Sequence, residues 1–340
     1  MGTQTNAPLP DGLEVGGYRI VRKIATGGFS IVYLAEDDRG GHFAIKEFLP
    51  GTLVRRAPGE LVPSVSVENR ATYRNGLKCF FEEGRALARI FHPNVVRVVN
   101  FFRANETVYM VMAYEEGRSL QELILRHRNR ERRGVLPERF IRRVFAAVMN
   151  GLREVHANRL LHLDLKPANI YLRLDGSPLL LDFGAARQTL SQDAPKLFPM
   201  YTPGFAAPEL HSRQHALGPW TDVYGIGASI CACMLGAPPQ AADQRADGDR
   251  LPEQLATAQG AYSDALIEVV DACMRLDPLA RPQSVFAVQR SLRGSDDAAL
   301  DEPARPQGLV GWIEELAGRL GGRRRSDESS DSTLNRGELP

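Results

Sequence analysis

Residues 161–169 read Leu161-His162-Leu163-Asp164-Leu165-Lys166-Pro167-Ala168-Asn169, and the rest of the chain is read outward from them. A carboxylate (Asp164), an ammonium (Lys166) and an amide (Asn169) share one short loop. Thirteen residues past Asn169 comes Asp182-Phe183-Gly184, entered through the apolar run Leu179-Leu180-Leu181. A magnesium nucleotide needs oxygen ligands for its metal, a cation beside the phosphate that moves and a base for the incoming hydroxyl. This set of side chains supplies all three and points to phosphoryl transfer.

The chain has 340 residues, enough for two modest lobes with cores of their own. Hydrophobic residues make up 43% and charged residues 24%, a globular composition. The net charge of +1 gives no global attraction to nucleic acid or acidic lipid, so no nucleic-acid partner is expected. Four cysteines in a chain this long argue against a disulfide framework. Cys79, Cys231, Cys233 and Cys273 sit in apolar stretches and read as buried, reduced thiols in a cytoplasmic protein. No basic-then-apolar leader is present at the start. The most apolar stretch, 223–239, is short and interrupted by Gly and Pro, so a membrane span is not expected.

Upstream, residues 1–16 read as a loose polar arm. Strand patterns follow over 18–25, 31–36 and 42–48. The first turn is Ala25-Thr26-Gly27-Gly28-Phe29-Ser30-Ile31-Val32, a small-residue hairpin through which backbone N–H groups can approach phosphate. Phe43-Ala44-Ile45-Lys46 then puts a lysine on a strand flanked by apolar residues. Together with the loop and the Asp-Phe-Gly stretch, this resembles the eukaryotic-like (Hanks-type) serine/threonine protein kinases of bacteria. The resemblance covers about residues 18–292 and implies an α+β, two-lobed protein-kinase fold. An antiparallel sheet with one helix would form the N-lobe (17–114), and a mostly helical C-lobe (115–293) would follow. Of the three glycines usual in the nucleotide loop only the middle one, Gly27, is kept; Ala25 and Ser30 take the outer places.

The resemblance also assigns roles. Asp164 would accept the proton of the substrate hydroxyl, and Lys166 would neutralise charge on the transferring group. Asn169 and Asp182 would hold magnesium, or manganese in its place, on ATP. Such roles suit a loose transition state that is served mainly by positioning and charge. Lys46 would hold the α- and β-phosphates and be held in turn by a glutamate of the helix expected over 73–91. Glu82 and Glu83 are adjacent, so they point about 100° apart on that helix and only one can face the site; His92-Pro93-Asn94 as the helix exit selects Glu83. Ala25, Thr26, Gly27, Gly28, Val32, Ala44, Met112, Tyr114 and Tyr171 would line the nucleotide site. Met112 either guards the back of the adenine pocket or is ordinary core. Residues 113–115 would be the hinge, and Tyr171 would lie under the base where leucine is commoner.

Between Lys46 and the helix, residues 49–75 form a long connection with a Lys-Glu-Phe-Leu-Pro start, similar to a bacterial subgroup of the family. A structured surface loop is the default reading. The basic run 126–133 reads as a solvated helix end, weighed against a patch for acidic substrates. A long buried helix is expected from Pro137, because Phe140, Ile141, Val144, Phe145, Val148, Met149, Leu152 and Val155 recur at helical spacing. His162, Phe183, Leu87 and Val98 are expected to stack as an apolar support.

Leu163 stands where many kinases carry an arginine that pairs with an activation-loop phosphate, so control by such a phosphate is not expected here. Tyr201-Thr202-Pro203-Gly204-Phe205-Ala206-Ala207-Pro208-Glu209 resembles the substrate-binding end of serine/threonine kinases. Thr202 would contact Asp164 and Lys166, Glu209 would pair with Arg281, and Asp222 would brace the catalytic loop. These three separate a protein kinase from a small-molecule kinase. Thr189, Ser191 and Thr202 are the hydroxyls open to modification. Residues 294–340 read as a linker and tail. Its short amphipathic helix (Leu309, Trp312, Ile313, Leu316, Leu320) and the run Arg323-Arg324-Arg325 either dock back, stay unfolded, or touch a partner or membrane. The expected activity is transfer of the ATP γ-phosphate to protein Ser/Thr hydroxyls, the chain itself included. A pseudokinase scaffold is the alternative. A forkhead-associated phosphothreonine-binding protein is the partner that the family suggests.

Overall fold

The structure is a computed structural model and describes residues 6–130, 136–183, 187–188, 202–211 and 215–293. Thr189, Ser191, Arg132, Arg133 and the whole tail helix lie outside the described residues.

The first lobe is one antiparallel sheet. Its strands are β1 (Glu14–Val15), β2 (Tyr18–Thr26), β3 (Ser30–Glu36) and β4 (His42–Phe48), followed after a gap by two more. In that gap a small hairpin, β5 (Val54–Arg55) with β6 (Ser64–Val65), leads into helix α1 (Arg70–Leu87). Strands β7 (Val98–Ala104) and β8 (Thr107–Ala113) complete the sheet in the order β1-β2-β3-β4-β8-β7. Helix α1 buries Tyr73, Gly76, Phe80, Gly84 and Leu87, one stripe at three- and four-residue steps, against β7 and β8.

The second half of β4 is buried on both faces: Ile45, Lys46, Glu47 and Phe48 are all enclosed. Strands alternate their side chains, so something must cover each face. One face meets α1 through Phe48, whose ring packs 5.4 Å from Phe80 and 5.8 Å from Tyr73. Over the other face lie the connection 49–69 and the N-terminal residues. Residues 6–16 are therefore not a loose arm. Leu9 is buried, Leu9 N–H donates to the Tyr33 hydroxyl at 3.1 Å, and β1 pairs with β2. The polar composition hid a few apolar anchors, Leu9 and Val15, that the sheet needs as a cover.

The second lobe begins with β9 (Gly117–Ser119), α2 (Leu120–Arg130) and the long α3 (Glu138–Ala157). Short strands β10 (Leu160–Leu161), β11 (Ile170–Arg173), β12 (Pro178–Leu180) and β13 (Arg187–Gln188) frame the catalytic loop. Gly117 is required where β9 meets β11: a Cβ there would stand 2.0 Å from the Leu172 carbonyl oxygen. Helix α4 (Pro219–Leu235) is buried from Thr221 to Met234, which explains its near-continuous apolar sequence. It ends at Gly236, in the left-handed region at φ 73. Helices α5 (Ala242–Asp247), α6 (Leu251–Ala256), α7 (Asp264–Cys273) and α8 (Val285–Arg293) close the lobe. No described helix is long and apolar enough to cross a membrane. Cys231, Cys233 and Cys273 are buried free thiols and Cys79 is partly exposed.

Candidate active site

The loop after β10 is hung from a helix behind it. Asp222 on α4 accepts the N–H of His162 at 2.9 Å and of Leu163 at 2.7 Å, and His156 of α3 at 2.7 Å. Burial works against the Asp222 carboxylate, yet the hydrogen bond and charge of His156 outweigh it and hold its pKa below the ordinary value. Leu163 is buried with φ 63 and Asp182 has φ 55, so two non-glycine residues in the left-handed region flank the site. Each such residue costs about 1–2 kcal/mol, strain that is tolerated where the surroundings over-determine a functional loop.

His162 is fully buried, and desolvation lowers its pKa. The neutral ring fits its neighbours: Nε2–H meets the Leu181 carbonyl at 3.1 Å and Nδ1 accepts the Asp164 N–H at 3.4 Å. Its ring lies 4.5 Å from that of Phe183, and Phe183, Leu87 and Val98 are buried members of one hydrophobic core.

In front of this support stand the polar residues. Lys166 Nζ donates to Asp164 Oδ2 and to Thr202 Oγ1, each at 2.7 Å. Thr202 Oγ1 donates to Asp164 Oδ1 at 3.2 Å. Asn169 Nδ2 donates to the Asp164 carbonyl at 2.8 Å and to Oδ2 at 3.0 Å. The Leu181 N–H donates to the Asn169 carbonyl at 2.9 Å, which ties the Asn169 turn to the strand end that carries Asp182. Glu209 and Arg281 form a buried two-pronged pair at 2.7 and 2.9 Å, and Arg281 also holds the Trp220 carbonyl at 3.1 Å.

The N-lobe side differs from the sequence expectation. Lys46 pairs with Asp182, not with Glu83. Among the described residues no hydrogen bond or ion pair joins Glu83 to Lys46, although Glu83 does face it, and Glu82 points outward to Lys78. Burial raises the Glu83 carboxyl to about 8 against the opposing charge of Lys46, and Asp182 pushes the same way as burial. Burial also opposes the Lys46 ammonium, but the charges of Asp182 and Glu83 outweigh it and raise its pKa.

Around the nucleotide positions, Ala25 and Thr26 end β2 and pair with Val32 and Ile31, and the Gly27 N–H donates to the Ser30 carbonyl at 2.8 Å. A Cβ on Gly27 would touch nothing closer than 3.7 Å, one on Gly28 would touch nothing, and neither has a positive φ. The protein itself does not require these glycines; close approach of a phosphate would. Ala44 pairs with Met112 across the sheet, and Tyr171 on β11 pairs with Ser119. Tyr114 follows β8, its ring 6.4 Å from His42. Among the described residues no cluster of three His, Cys, Asp or Glu side chains forms a ready metal site. Magnesium on a nucleotide does not need one, since one or two carboxylates and the phosphates complete its shell. Asn169 with Asp182, whose side chain is 48% exposed, fits that chemistry.

Sequence reasoning missed Glu47, Arg56 and His156. The signal for Glu47 was present: a charge inside an apolar strand demands a buried partner.

The comparisons agree with this geometry. The family description "Protein kinase domain" matches residues 18–292. The serine/threonine-protein kinase SSN3 of Pyricularia oryzae is 29% identical over 230 residues, 65% of this chain and 42% of that protein. A probable serine/threonine-protein kinase KIN1 homolog of Encephalitozoon cuniculi is 28% identical over 231 residues, 67% of this chain and 37% of that protein. The chain thus spans less than half the length of these relatives. Among solved structures, the apo form of PpkA-294 is 32% identical with a TM-score of 0.71, over 84% of this chain and 99% of that one. The PknI kinase domain of Mycobacterium tuberculosis shares the fold at 22% identity and a TM-score of 0.59, over 84% and 98%. With a loop hung from Asp222, a carboxylate, ammonium, amide and hydroxyl gathered at Asp164, and a family match over most of its length, the chain belongs to the protein kinase domain family.

Proposed function

We propose that the chain is a serine/threonine protein kinase that uses ATP with magnesium. One observation carries this reading: Asp164, Lys166, Asn169 and Thr202 meet within hydrogen-bonding distance, and Thr202 belongs to a segment that resembles the substrate-binding end of serine/threonine kinases. Asp164 stands to accept the proton of an incoming hydroxyl, Lys166 holds that carboxylate in place, and Thr202 orients both. Lys46, Gly27 and Gly28 would face the phosphates, Val32, Ala44, Met112, Tyr114 and Tyr171 would border the base, and Asn169 with Asp182 would hold the metal. When bound, magnesium ATP supplies the phosphoryl group and neutralises its charge. Buried Leu163 stands where many kinases carry the arginine that pairs with an activation-loop phosphate, so that partner is replaced by an apolar side chain.

We place the chain among bacterial kinases because of the Lys46-Glu47-Phe48-Leu49-Pro50 start of the connection, and in the cytoplasm because its four cysteines, all among the described residues, form no disulfide. A forkhead-associated protein is the partner class this placement suggests. The second reading is a nucleotide-binding scaffold, favoured by the Lys46–Asp182 contact and by the lack of an ion pair between Lys46 and Glu83.

The test is transfer of labelled γ-phosphate from magnesium ATP to the chain and to a generic basic protein. Label on serine or threonine that vanishes in Asp164→Asn is the expected result. No label, with ATP still raising the melting temperature, would install the scaffold reading.

A further inference from the structure

The connection 49–69 leaves β4 directly after Glu47 and Phe48 and ends at the start of α1. It therefore joins the strand that carries Lys46 to the helix that carries Glu83. One of its side chains is a cation with almost no surface: Arg56 is 2% exposed and Glu47 is 0% exposed. Arg56 Nη1 and Nη2 reach Glu47 Oε1 and Oε2 at 2.5 and 2.8 Å. Tyr33 of β3 donates to Oε2 at 2.7 Å, and Tyr109 of β8 donates to Oε1 at 2.9 Å. The carboxylate beside Lys46 thus stitches β3, β4 and β8 to the hairpin.

Arg56 is itself held from the N-terminal segment. Its Nε donates to the Ala7 carbonyl at 2.8 Å, its N–H to Asn6 Oδ1 at 2.8 Å, and its carbonyl accepts the Ala7 N–H at 3.0 Å. At the far end, Asn69 does not cap α1; its Nδ2 donates to the Leu53 carbonyl at 3.3 Å and binds the helix start to the hairpin. An enclosed ion pair adds little net stability when both partners are present, because desolvation offsets the attraction. Geometry is what such a pair can fix.

We propose that Arg56 and Glu47 are positioning residues for nucleotide binding: the hairpin, locked through them and residues 6–9, sets Lys46 against α1. This rests on the kinase reading above, and the readout is chosen to separate the two. Binding of a fluorescent ATP analogue, KM for ATP, kcat and melting temperature are measured for the full chain and for Arg56→Met, Arg56→Lys and Tyr33→Phe. Displacing Lys46 forfeits one charge-assisted hydrogen bond, so Arg56→Met is expected to raise the analogue's Kd and the KM about tenfold. Arg56→Lys recovers part of that. Tyr33→Phe, which removes a single hydroxyl and keeps the ring, raises both about threefold. Throughout, kcat at saturating ATP moves less than KM.

A mere brace would lower melting temperature and active fraction while the folded molecules kept the wild-type Kd. Wild-type Kd in Tyr33→Phe and in every Arg56 variant that folds overturns the proposal. If Arg56→Met does not fold, Arg56→Lys and Tyr33→Phe decide it. A wild-type chain that binds nucleotide and transfers nothing sinks the kinase reading alone, because the Kd ratios still report on the clamp. A chain that binds no nucleotide sinks both.

Discussion

Around Asp164 every functional side chain already touches another: Lys166, Asn169 and Thr202 converge on one carboxylate, and Asp222 holds the loop behind it through two backbone N–H groups. Around Lys46 the arrangement is different. Its ammonium contacts a carboxylate from the other lobe, and Glu83 on its own lobe stands beside it without an ion pair between them. One half of the site is assembled by the fold; the other half is expected to change partners when a nucleotide binds. That difference follows from where the residues sit. The Asp164 loop is pinned to the buried helix α4, whereas Glu83 rides on α1, which packs on the sheet through one stripe.

The comparison can be broken in several ways, taken from the largest effect to the smallest. Asp164→Asn keeps the shape of the assembled half and removes its base, so transfer should fall about 100- to 10,000-fold in a labelled-phosphate assay. A tenth of wild-type activity would mean that another group takes the proton. Arg281→Met leaves the Glu209 carboxylate buried without its cation. A loss of about 3–5 kcal/mol in denaturant unfolding is expected, and a loss under 1 would show a brace the lobe does not need.

Glu83→Gln sharpens the other side. The folded chain keeps the Glu83 proton up to about 8, and the unfolded chain releases it near 4.5. The folded state therefore binds the extra proton between those values, and stability falls as pH rises through that window, then levels off. The substituted chain should lack that slope; equal slopes would mean that Glu83 is ionised in the fold. Smallest is the effect of phosphatase. With Leu163 in place of a cation, activity should stay within about twofold after treatment, whereas loss and recovery on rephosphorylation would require a phosphate receptor elsewhere.

The assembled half was also the legible half. Asp164, Lys166, Asn169, Thr202, Asp222, Glu209 and Arg281 lie in segments whose spacing is tied to backbone geometry, so order along the chain carried over to contact in space. The Lys46–Asp182 contact was not legible, because it depends on how two lobes meet, which spacing along the chain does not fix. The packing of residues 6–16 was hidden for another reason. A polar segment with prolines looks loose unless the surface it covers is known, and Leu9 finds that surface only at Tyr33 and the outer face of the sheet. Arg56 was invisible in the same way, since the pair Arg55-Arg56 in a Pro- and Gly-rich connection reads as solvated.

The most direct measurement is the melting temperature of wild type, Asp164→Asn and Asp182→Asn with and without magnesium ATP. Ligand that binds only the folded state at about 100 times its Kd adds roughly 2.7 kcal/mol, a shift that is easily resolved. The account predicts a clear upward shift in wild type and in Asp164→Asn, which binds but cannot transfer, and its loss in Asp182→Asn. Equal shifts in all three, or a shift lost in Asp164→Asn and kept in Asp182→Asn, would contradict the division of the site into an assembled chemical half and a ligand-completed half.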